Sequence, residues 1–239
     1  MVRKLDHQLD EQIRYYRVRA PEYDAWAERD GAYDRGARNH GWLAEKARLA
    51  AALADFQPRG HVLEIAGGTG QWTQQLVKHA DSLTVVDAAP EALEHNRRKL
   101  ADDVERIQYH VTDFFDWDAP ERYDVIFFSY WLSHVPPERF ATFWERVAAC
   151  LKPDGRVFLI DNIATTHAAR LDPEIPGEDD VTVLRPAPDG NLYRVWKVLR
   201  EPGDLELELR ALGWSVEAYA TGTYFMWAEG RRARQVLPA

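Results

Sequence analysis

Glu64-Ile65-Ala66-Gly67-Gly68-Thr69-Gly70 is the stretch of sequence that decides the fold. It closes a short apolar run, residues 61–65, that predicts a strand, and it precedes a helical pattern that begins at Thr73. Glycines at such a junction let the backbone turn tightly and let a ligand approach without meeting a Cβ atom. A plain glycine turn is the alternative to a ligand-binding loop.

Short apolar runs alternate with helical patterns on both sides of this loop. Strands are predicted at residues 82–86, 107–111, 123–128 and 156–160, with helices between them. The run at 123–128 is almost wholly apolar, as expected of a central strand covered on both faces. The alternation predicts right-handed crossovers and a doubly wound α/β fold with a mainly parallel sheet.

Two regions depart from this alternation. One is the segment 1–39, which is rich in aromatic and charged residues, and the other is an insertion at 163–191 with several prolines and the acidic run Glu178-Asp179-Asp180. The insertion is too long for a simple connector, so we expect a loop or lid over a site. Beyond it, strands at 193–199 and 223–229 and a helix at 203–212 are expected to complete the sheet.

Composition limits the class of protein and of partner. The chain has 239 residues, 46% of them hydrophobic, which suits one substantial domain. Its formal net charge of −9 disfavours nucleic acid as a partner, because phosphate binding normally needs a basic surface. The single cysteine and the lack of a long apolar run predict a cytoplasmic protein with no membrane partner.

The spacing of the glycines narrows the choice of ligand. A dinucleotide fingerprint needs a third glycine three residues after the second, and Gln71-Trp72-Thr73 follows Gly70 instead. The sequence contains no G-x-x-x-x-G-K-[ST], which excludes a nucleoside-triphosphate loop. The pattern E-x-A-x-G-x-G resembles the first motif of class I S-adenosylmethionine-dependent methyltransferases, with Ala66 in place of the usual first glycine. The resemblance implies S-adenosylmethionine as cofactor and a Rossmann-like methyltransferase fold with a seven-stranded sheet.

Two acids extend the resemblance. Asp87 ends the second predicted strand, where the family places an acid on the ribose hydroxyls, and Asp113 resembles the family's acid at the adenine amino group. Either acid alone could be a helix cap. Phe114 or Phe115 is expected against the adenine face. The predicted cofactor site comprises Glu64, Ala66, Gly67, Gly68, Gly70, Trp72, Asp87, Ala88, Thr112, Asp113, Phe114 and Ser129.

The aromatic N-terminal segment also resembles part of this family. In small-molecule methyltransferases such a segment folds over the cofactor, so residues 1–39 are expected to form a helical cover on a cofactor-binding domain of residues 40–239. Tyr16 and Tyr23 are the predicted contacts to cofactor or substrate, and a surface helix with packed aromatic side chains is the alternative.

The methyl acceptor is expected beyond the fourth strand. Tyr130, Trp131 and His134 are the predicted substrate residues, and His134 is the first candidate for a base because a histidine titrates near neutrality. A hydrogen bond near the start of the following helix is the alternative for His134. Asp161 is the second catalytic candidate, and it could instead accept from backbone donors at the strand end.

Two subclasses of the family are not matched. The chain has no [DNS]-P-P-[YFW] motif, which is typical of enzymes that methylate nucleic-acid bases. Asp161-Asn162 resembles an acid–amide pair of metal-dependent members, but Ser129 stands where their first metal-binding acid would be. We therefore predict metal-independent methyl transfer to an oxygen or nitrogen of a small, largely apolar or aromatic molecule. A protein or RNA methyltransferase and a non-catalytic cofactor-binding relative are the alternatives, and a homodimer is left open.

Overall fold

The computed structural model of the chain describes residues 2–164, 175–177 and 181–233. Its main sheet has seven strands: β1 (His61–Ile65), β2 (Ser82–Asp87), β3 (Ile107–Val111), β4 (Tyr123–Ser129), β5 (Leu151–Asn162), β9 (Trp214–Ala220) and β10 (Phe225–Arg232). They lie in the order β3-β2-β1-β4-β5-β10-β9. Neighbours among β1 to β5 are parallel, and β10 is antiparallel to β5 and to β9. The predicted doubly wound, mainly parallel sheet is confirmed.

Helices cover both faces of this sheet: α1 (Val2–Glu28), α2 (Asn39–Phe56), α3 (Thr73–Leu76), α4 (Pro90–Lys99), α5 (Phe140–Cys150) and α6 (Pro202–Ala211). Successive side chains of a strand point to opposite faces, so β4 serves two apolar layers. Ile126 and Phe128 join the layer under α5 and α6, and Val125 and Phe127 join the layer under α2 and α4. This explains why the middle of β4, residues 125–128, is wholly apolar. None of the described helices has the length and apolar character needed to cross a membrane.

The insertion after β5 contains a second sheet. In its described part, β6 (Ile175–Pro176), β7 (Thr182–Pro186) and β8 (Leu192–Trp196) form an antiparallel sheet of three strands. The prediction that the strand near 193–199 completes the main sheet is therefore wrong, and β9 takes that place. A period-two pattern predicts a strand but not the sheet that it joins. Residues 165–174 and 178–180, including the acidic run Glu178-Asp179-Asp180, lie outside the described residues.

The N-terminal segment forms one long helix, α1, which continues through Pro21. Polar side chains fix it at several points. Arg17 forms a two-pronged ion pair with Glu91 at the start of α4, with Nε–Oε2 and Nη2–Oε1 distances of 3.0 and 2.8 Å. Asp24 accepts from Thr69 Oγ1 at 2.6 Å and from Lys99 Nζ at 2.8 Å. These bonds tie α1 to the glycine loop and to α4.

The same helix is also bound to the edge of the small sheet. The Glu11 carboxylate accepts from the backbone N–H of Arg194 at 2.7 Å, and Gln12 Oε1 accepts from that of Trp196 at 3.0 Å. Side chains of α1 thus accept hydrogen bonds from backbone N–H groups on the edge of β8 that faces away from β7. The helix is fixed at one end to β8 and at the other to the loop after β1.

A buried carboxylate joins α2 to the β9–β10 hairpin. Glu45 is 6% exposed and accepts from the backbone N–H groups of Thr223 and Tyr224, each at 2.8 Å, as well as from the Thr221 hydroxyl. Gly222 turns the chain there with a φ of +148°, and a Cβ atom on it would lie 2.9 Å from Glu45 Oε1. The hairpin turn is therefore shaped around this carboxylate.

Replacement of Glu45 should destabilise the fold. Glu45→Ala leaves buried backbone donors without an acceptor, so we expect a loss of about 2–3 kcal/mol in the free energy of unfolding. Glu45→Gln keeps one side-chain oxygen and should lose about half as much. Urea unfolding followed by circular dichroism measures both, with the exposed Glu145→Ala as control. Equal stability of the alanine variant and the wild type would contradict the assignment.

A second buried carboxylate supports the glycine loop from below. The Thr73 hydroxyl donates to Glu64 Oε2 at 2.7 Å, Asn96 Nδ2 donates to Thr73 Oγ1 at 2.9 Å, and the Tyr109 hydroxyl donates to Asn96 Oδ1 at 3.0 Å. These bonds connect β1, α3, α4 and β3 directly beneath the loop. Burial raises the pKa of Glu64 to about 8, so the folded chain holds this side chain protonated near neutrality.

This raised pKa predicts a pH dependence of stability. In the unfolded chain Glu64 titrates at its ordinary value near 4.5, so its contribution to stability is complete below that pH and is lost as the pH rises through about 8. Between pH 6 and pH 9 the wild type should lose about 2–3 kcal/mol that Glu64→Gln does not lose. Urea unfolding of both proteins across this range checks the difference. Parallel pH profiles would contradict it.

Candidate active site

A cavity lined by residues of the glycine loop lies where the chain reverses its direction of winding. β1 and β4 are neighbours in the sheet, but the connection from β1 leads to β2 on one side and that from β4 leads to β5 on the other. Open α/β sheets bind ligands at the carboxyl ends of such a pair. The empty space of the cavity, including the part that is open to solvent, is about 810 Å³. It is lined by Gln12, Ile13, Tyr16, Ala20, Tyr23, Ile65, Ala66, Gly68, Thr69, Val86, Asp87, Ala88, Ala89, Ala92, Thr112, Asp113, Phe114, Ser129, Tyr130, Trp131 and His134.

The glycine loop forms the floor of this cavity. Gly68 and Gly70 have φ angles of +53° and +89°, in the left-handed region that favours glycine. A Cβ atom on Gly67 would collide with the Val85 side chain on β2, so that position is closed by packing. Ala66 has a φ of +55° although it carries a Cβ atom. The loop therefore keeps the turn of a glycine-rich motif at the cost of local strain at Ala66.

Asp87 stands at the end of β2 with both oxygens directed by the backbone. Oδ2 accepts from the N–H of Gly68 at 2.9 Å, and Oδ1 accepts from that of Ala89 at 2.7 Å. A carboxylate has about four acceptor positions, so two of them remain for hydroxyl groups of a ligand. Burial, and secondarily the charge of Asp113, raise the pKa of Asp87 to about 6 even though the two N–H groups favour its ionised form. This arrangement fits the two adjacent hydroxyls of a ribose.

The end of β3 provides the next part of the wall. Asp113 Oδ1 accepts from the N–H of Phe115 at 2.9 Å, which fixes the carboxylate beside Thr112 and Phe114. Phe114 lines the cavity, whereas Phe115 packs against the core. An acid next to a flat aromatic surface suits an amino-substituted heterocycle. Together with Asp87 and the open loop, these residues fit S-adenosylmethionine.

The end of β4 turns sharply into the opposite wall. Tyr130 has a φ of +52°, which is an outlier for a bulky residue, and its N–H donates to Ile160 O at 2.7 Å. A short 3-10 turn, Leu132–His134, follows. Asp161 fixes this turn, because its Oδ2 accepts from the N–H of Ser133 at 2.8 Å and its Oδ1 accepts from that of Asn162 at 2.7 Å. Asp161 thus accepts hydrogen bonds from backbone donors, which is the alternative given for it above, and it does not line the cavity.

A chain of hydrogen bonds joins this turn to α1 and β8. The Tyr16 hydroxyl lies 2.7 Å from His134 Nε2, and His134 Nδ1 lies 2.6 Å from the carbonyl oxygen of Trp196. Gln12 Nε2 donates to the carbonyl oxygen of His134 at 3.2 Å, while its Oε1 accepts from the N–H of Trp196. Three elements that are far apart in sequence are thus joined at one edge of the cavity.

The surroundings keep the side chains of His134 and Tyr16 uncharged. Burial lowers the pKa of His134 well below its ordinary value, and the nearby cations Lys197 and Arg185 lower it further. Burial raises the pKa of Tyr16 well above that of free tyrosine, and it raises the pKa of Tyr23 to about 12. His134 is therefore an uncharged imidazole in the free protein.

Most of the predicted site residues lie together in the structure. The cavity is lined by Tyr16, Tyr23, Ala66, Gly68, Asp87, Ala88, Thr112, Asp113, Phe114, Ser129, Tyr130, Trp131 and His134. Five predicted residues do not line it. Glu64, Gly67 and Gly70 support the loop, Asp161 caps a turn, and Trp72 packs against Phe127 in the core.

Several lining residues were not predicted. Gln12 and Ile13 precede Tyr16 by four and three residues, and Ala20 follows it by four, so helical spacing from Tyr16 was the available signal. Thr69, Val86, Ala89 and Ala92 flank the motifs on the chain and carry no pattern of their own. Their place in the cavity depends on the packing of the loop against α4.

Known proteins share both the sequence pattern and the fold. The family described as "Methyltransferase domain" matches residues 62–155. A Danio rerio N-terminal Xaa-Pro-Lys N-methyltransferase 1 is 28% identical over 53% of this chain, a match that spans only 55% of that protein's length. A ubiquinone biosynthesis O-methyltransferase of Xanthomonas axonopodis pv. citri (strain 306) is 26% identical over 77% of this chain and 75% of its own.

The solved structure of a DhpI–SAH complex is similar over nearly the whole chain. It has a TM-score of 0.76 and 32% identity, with 95% of this chain and 98% of that chain covered. A DhpI–SAM–HEP complex superimposes equally well, with a TM-score of 0.75 and 33% identity over 94% of this chain and 97% of that one. This chain belongs to the class I S-adenosylmethionine-dependent methyltransferases, and its cofactor is S-adenosylmethionine.

Proposed function

We propose that the protein transfers a methyl group from S-adenosylmethionine to an oxygen or nitrogen atom of a small, largely apolar or aromatic molecule, without a metal ion. The observation that carries this proposal is the shared cavity. One wall holds the acids and the glycine loop that fit the cofactor, and the opposite wall holds aromatic side chains from α1 and from the end of β4. Donor and acceptor of the methyl group would therefore meet in one enclosed space.

The protein's part in such a reaction is chiefly to position the two reactants. When bound, the cofactor supplies a methyl group on a sulfonium, which a nucleophile displaces in line. Asp87 and Asp113 would hold the nucleoside end at β2 and β3, and the glycine loop would hold the remainder at β1. Holding the nucleophile in line with the methyl group converts an encounter of two molecules into a reaction within one complex, which accounts for most of the acceleration.

Aromatic side chains support an apolar or aromatic acceptor. Tyr16 and Tyr23 project from one face of α1, and Tyr130 and Trp131 project from the end of β4. Rigid rings offer a large apolar contact area and lose little side-chain entropy when a ligand binds. The related O-methyltransferase named above and the DhpI complexes support a small molecule as the substrate.

Two observations support transfer without a metal. Ser129, at the carboxyl end of β4, offers a hydroxyl where a hard divalent cation would prefer a charged ligand. Both oxygens of Asp161 already accept backbone N–H groups at the turn that follows β4. The acid–amide pair Asp161-Asn162 therefore has a structural use that needs no cation.

We further propose that α1 covers the reacting groups, with the small sheet behind it, on the domain formed by residues 40–239. Arg17 and Asp24 fix α1 to α4 and to the glycine loop, and Gln12 fixes it to β8. Such a cover would keep water from the sulfonium. It also favours a small acceptor over a protein N-terminus, which the name of the Danio rerio relative raises as a second candidate.

A screen for methyl transfer tests the proposed function. The protein should transfer a labelled methyl group from S-adenosylmethionine to at least one member of a panel of phenols, carboxylic acids, amines and azoles, and EDTA should not reduce the rate. Asp87→Ala should lower the rate at limiting cofactor by at least about tenfold, because it removes a charged acceptor from the ribose. Asp55→Ala, at an exposed position on α2, is the control.

Three results would contradict the proposal. Transfer to an N-terminal peptide of the Xaa-Pro-Lys type but to no small molecule would favour the second candidate. Loss of activity in EDTA, restored by Mg²⁺, would contradict the metal-independent reaction. Failure to bind S-adenosylhomocysteine in calorimetry would refute the cofactor site itself.

Cofactor affinity should depend on pH through Asp87. Ribose hydroxyls bind the ionised carboxylate, so protons compete with the cofactor once the pH falls below about 6, the raised pKa of Asp87. The Kd of S-adenosylhomocysteine should rise by up to about tenfold per pH unit below that point. Calorimetry between pH 5 and pH 7 measures this slope, and Asp87→Asn should remove most of it. A slope that is unchanged in the asparagine variant would contradict the assignment.

A further inference from the structure

The direction of the hydrogen bonds at Tyr16 follows from the chemistry of their partners. The carbonyl oxygen of Trp196 can only accept, so His134 Nδ1, 2.6 Å away, must carry a hydrogen. His134 is neutral because burial and nearby cations lower its pKa, so its other ring nitrogen carries none. Nε2 must therefore accept from the Tyr16 hydroxyl at 2.7 Å. The only hydrogen of that hydroxyl is used inside the protein.

Tyr16 and its partner His134 nevertheless both line the cavity. Tyr16 lines it on the same helical face as Gln12, Ile13 and Tyr23, and it is only partly buried, whereas His134 is 4% exposed. Its ring stands edge-on to the His134 ring, with the centroids 5.3 Å apart. The hydroxyl therefore lies beside the turn that follows β4, at the part of the cavity that Tyr16 and His134 line. A ligand beside Tyr16 Oη can therefore donate a hydrogen bond to this oxygen but cannot accept one from it, because the hydroxyl hydrogen is already donated to His134 Nε2.

We propose that Tyr16 Oη is the hydrogen-bond acceptor that selects the methyl acceptor molecule, and that His134 is a positioning residue that holds it in that state. This inference rests on the proposed function for the identity of the second ligand. The acceptor molecule would present an O–H or N–H group to Tyr16. A phenol, an alcohol or an amine meets this condition, whereas a fully ionised carboxylate or an ether does not.

The bond to Tyr16 would also orient the nucleophile. A hydroxyl or amino group that donates its hydrogen to Tyr16 Oη has its lone pairs directed away from Tyr16. The position of Tyr16 Oη therefore limits the directions from which these lone pairs can attack the methyl group. Gln12 stabilises the same geometry, because it binds the backbone of His134 and of Trp196 at once. His134 has both ring nitrogens occupied and acts only through Tyr16.

Nitrogen NMR tests the direction of these bonds without any substrate. In the protein labelled with ¹⁵N-histidine and saturated with S-adenosylhomocysteine, His134 should show a protonated Nδ1 and an unprotonated Nε2. The chain has 8 histidines, so His134→Gln identifies the signals that belong to position 134. Tyr16→Phe should shift the Nε2 signal and leave Nδ1 protonated. A protonated Nε2 in the wild type would overturn the proposal.

Two matched probes test the selection itself. Phenol can donate a hydrogen bond and anisole cannot, although their rings are alike. With S-adenosylhomocysteine bound, the wild type should bind phenol about two- to tenfold more tightly than anisole in calorimetry, the range of one neutral hydrogen bond. Tyr16→Phe should reduce this ratio to about one. Tyr15→Phe is the control, since the Tyr15 hydroxyl accepts from Arg19 Nη1 at 2.7 Å and does not line the cavity.

The outcomes separate this proposal from the proposed function. A phenol preference that persists in Tyr16→Phe, or a wild type that binds the two probes equally or binds neither, would overturn the role of Tyr16 even if methyl transfer is found. A lower affinity for S-adenosylhomocysteine in Tyr16→Phe, with an unchanged probe ratio, would assign Tyr16 to the cofactor instead. Absence of methyl transfer, with the NMR and probe results as expected, would refute only the proposed function.

Discussion

The parallel pairing of β1 with β4 is the constraint on which the rest of the structure depends. Two strands that are neighbours in the sheet but continue to opposite sides leave a gap above their carboxyl ends. The backbone is strained where the chain leaves each strand, since Ala66 and Tyr130 take left-handed backbone angles immediately after β1 and β4. Strain of this kind persists only where the surrounding structure holds it in place. Here the carboxylates of Glu64 and Asp161 do so from below and from the side.

The sequence predicts that the glycine loop, Asp87 and Asp113 lie close together, because each of these positions follows from local patterns. The glycine loop, Asp87 and Asp113 each sit at the end of a strand whose apolar pattern is clear, and parallel strands bring their carboxyl ends to one edge. The same reasoning placed Glu64 in the cavity, but β1 turns its side chain toward Thr73 and α3. The alternation of faces along a strand explains the difference, since Glu64 and Ile65 point to opposite sides.

The hydrogen bonds along the opposite wall could not be predicted, because they join distant segments. Tyr16, His134 and Trp196 come from α1, from the turn after β4 and from the small sheet, and no spacing on the chain relates them. The small sheet itself was expected as a loop, and β8 was expected in the main sheet. Strand patterns identify extended segments, but the choice of partner depends on tertiary packing.

Asp24 joins the N-terminal helix α1 to the glycine loop and to α4 at the same time. One of its oxygens accepts from Thr69 in the glycine loop and the other from Lys99 on α4, so movement of α1 away from the loop and α4 would break both contacts. A ligand that favours one arrangement of the loop would therefore also favour the position of α1 that is bonded to it, because linkage between two equilibria is reciprocal.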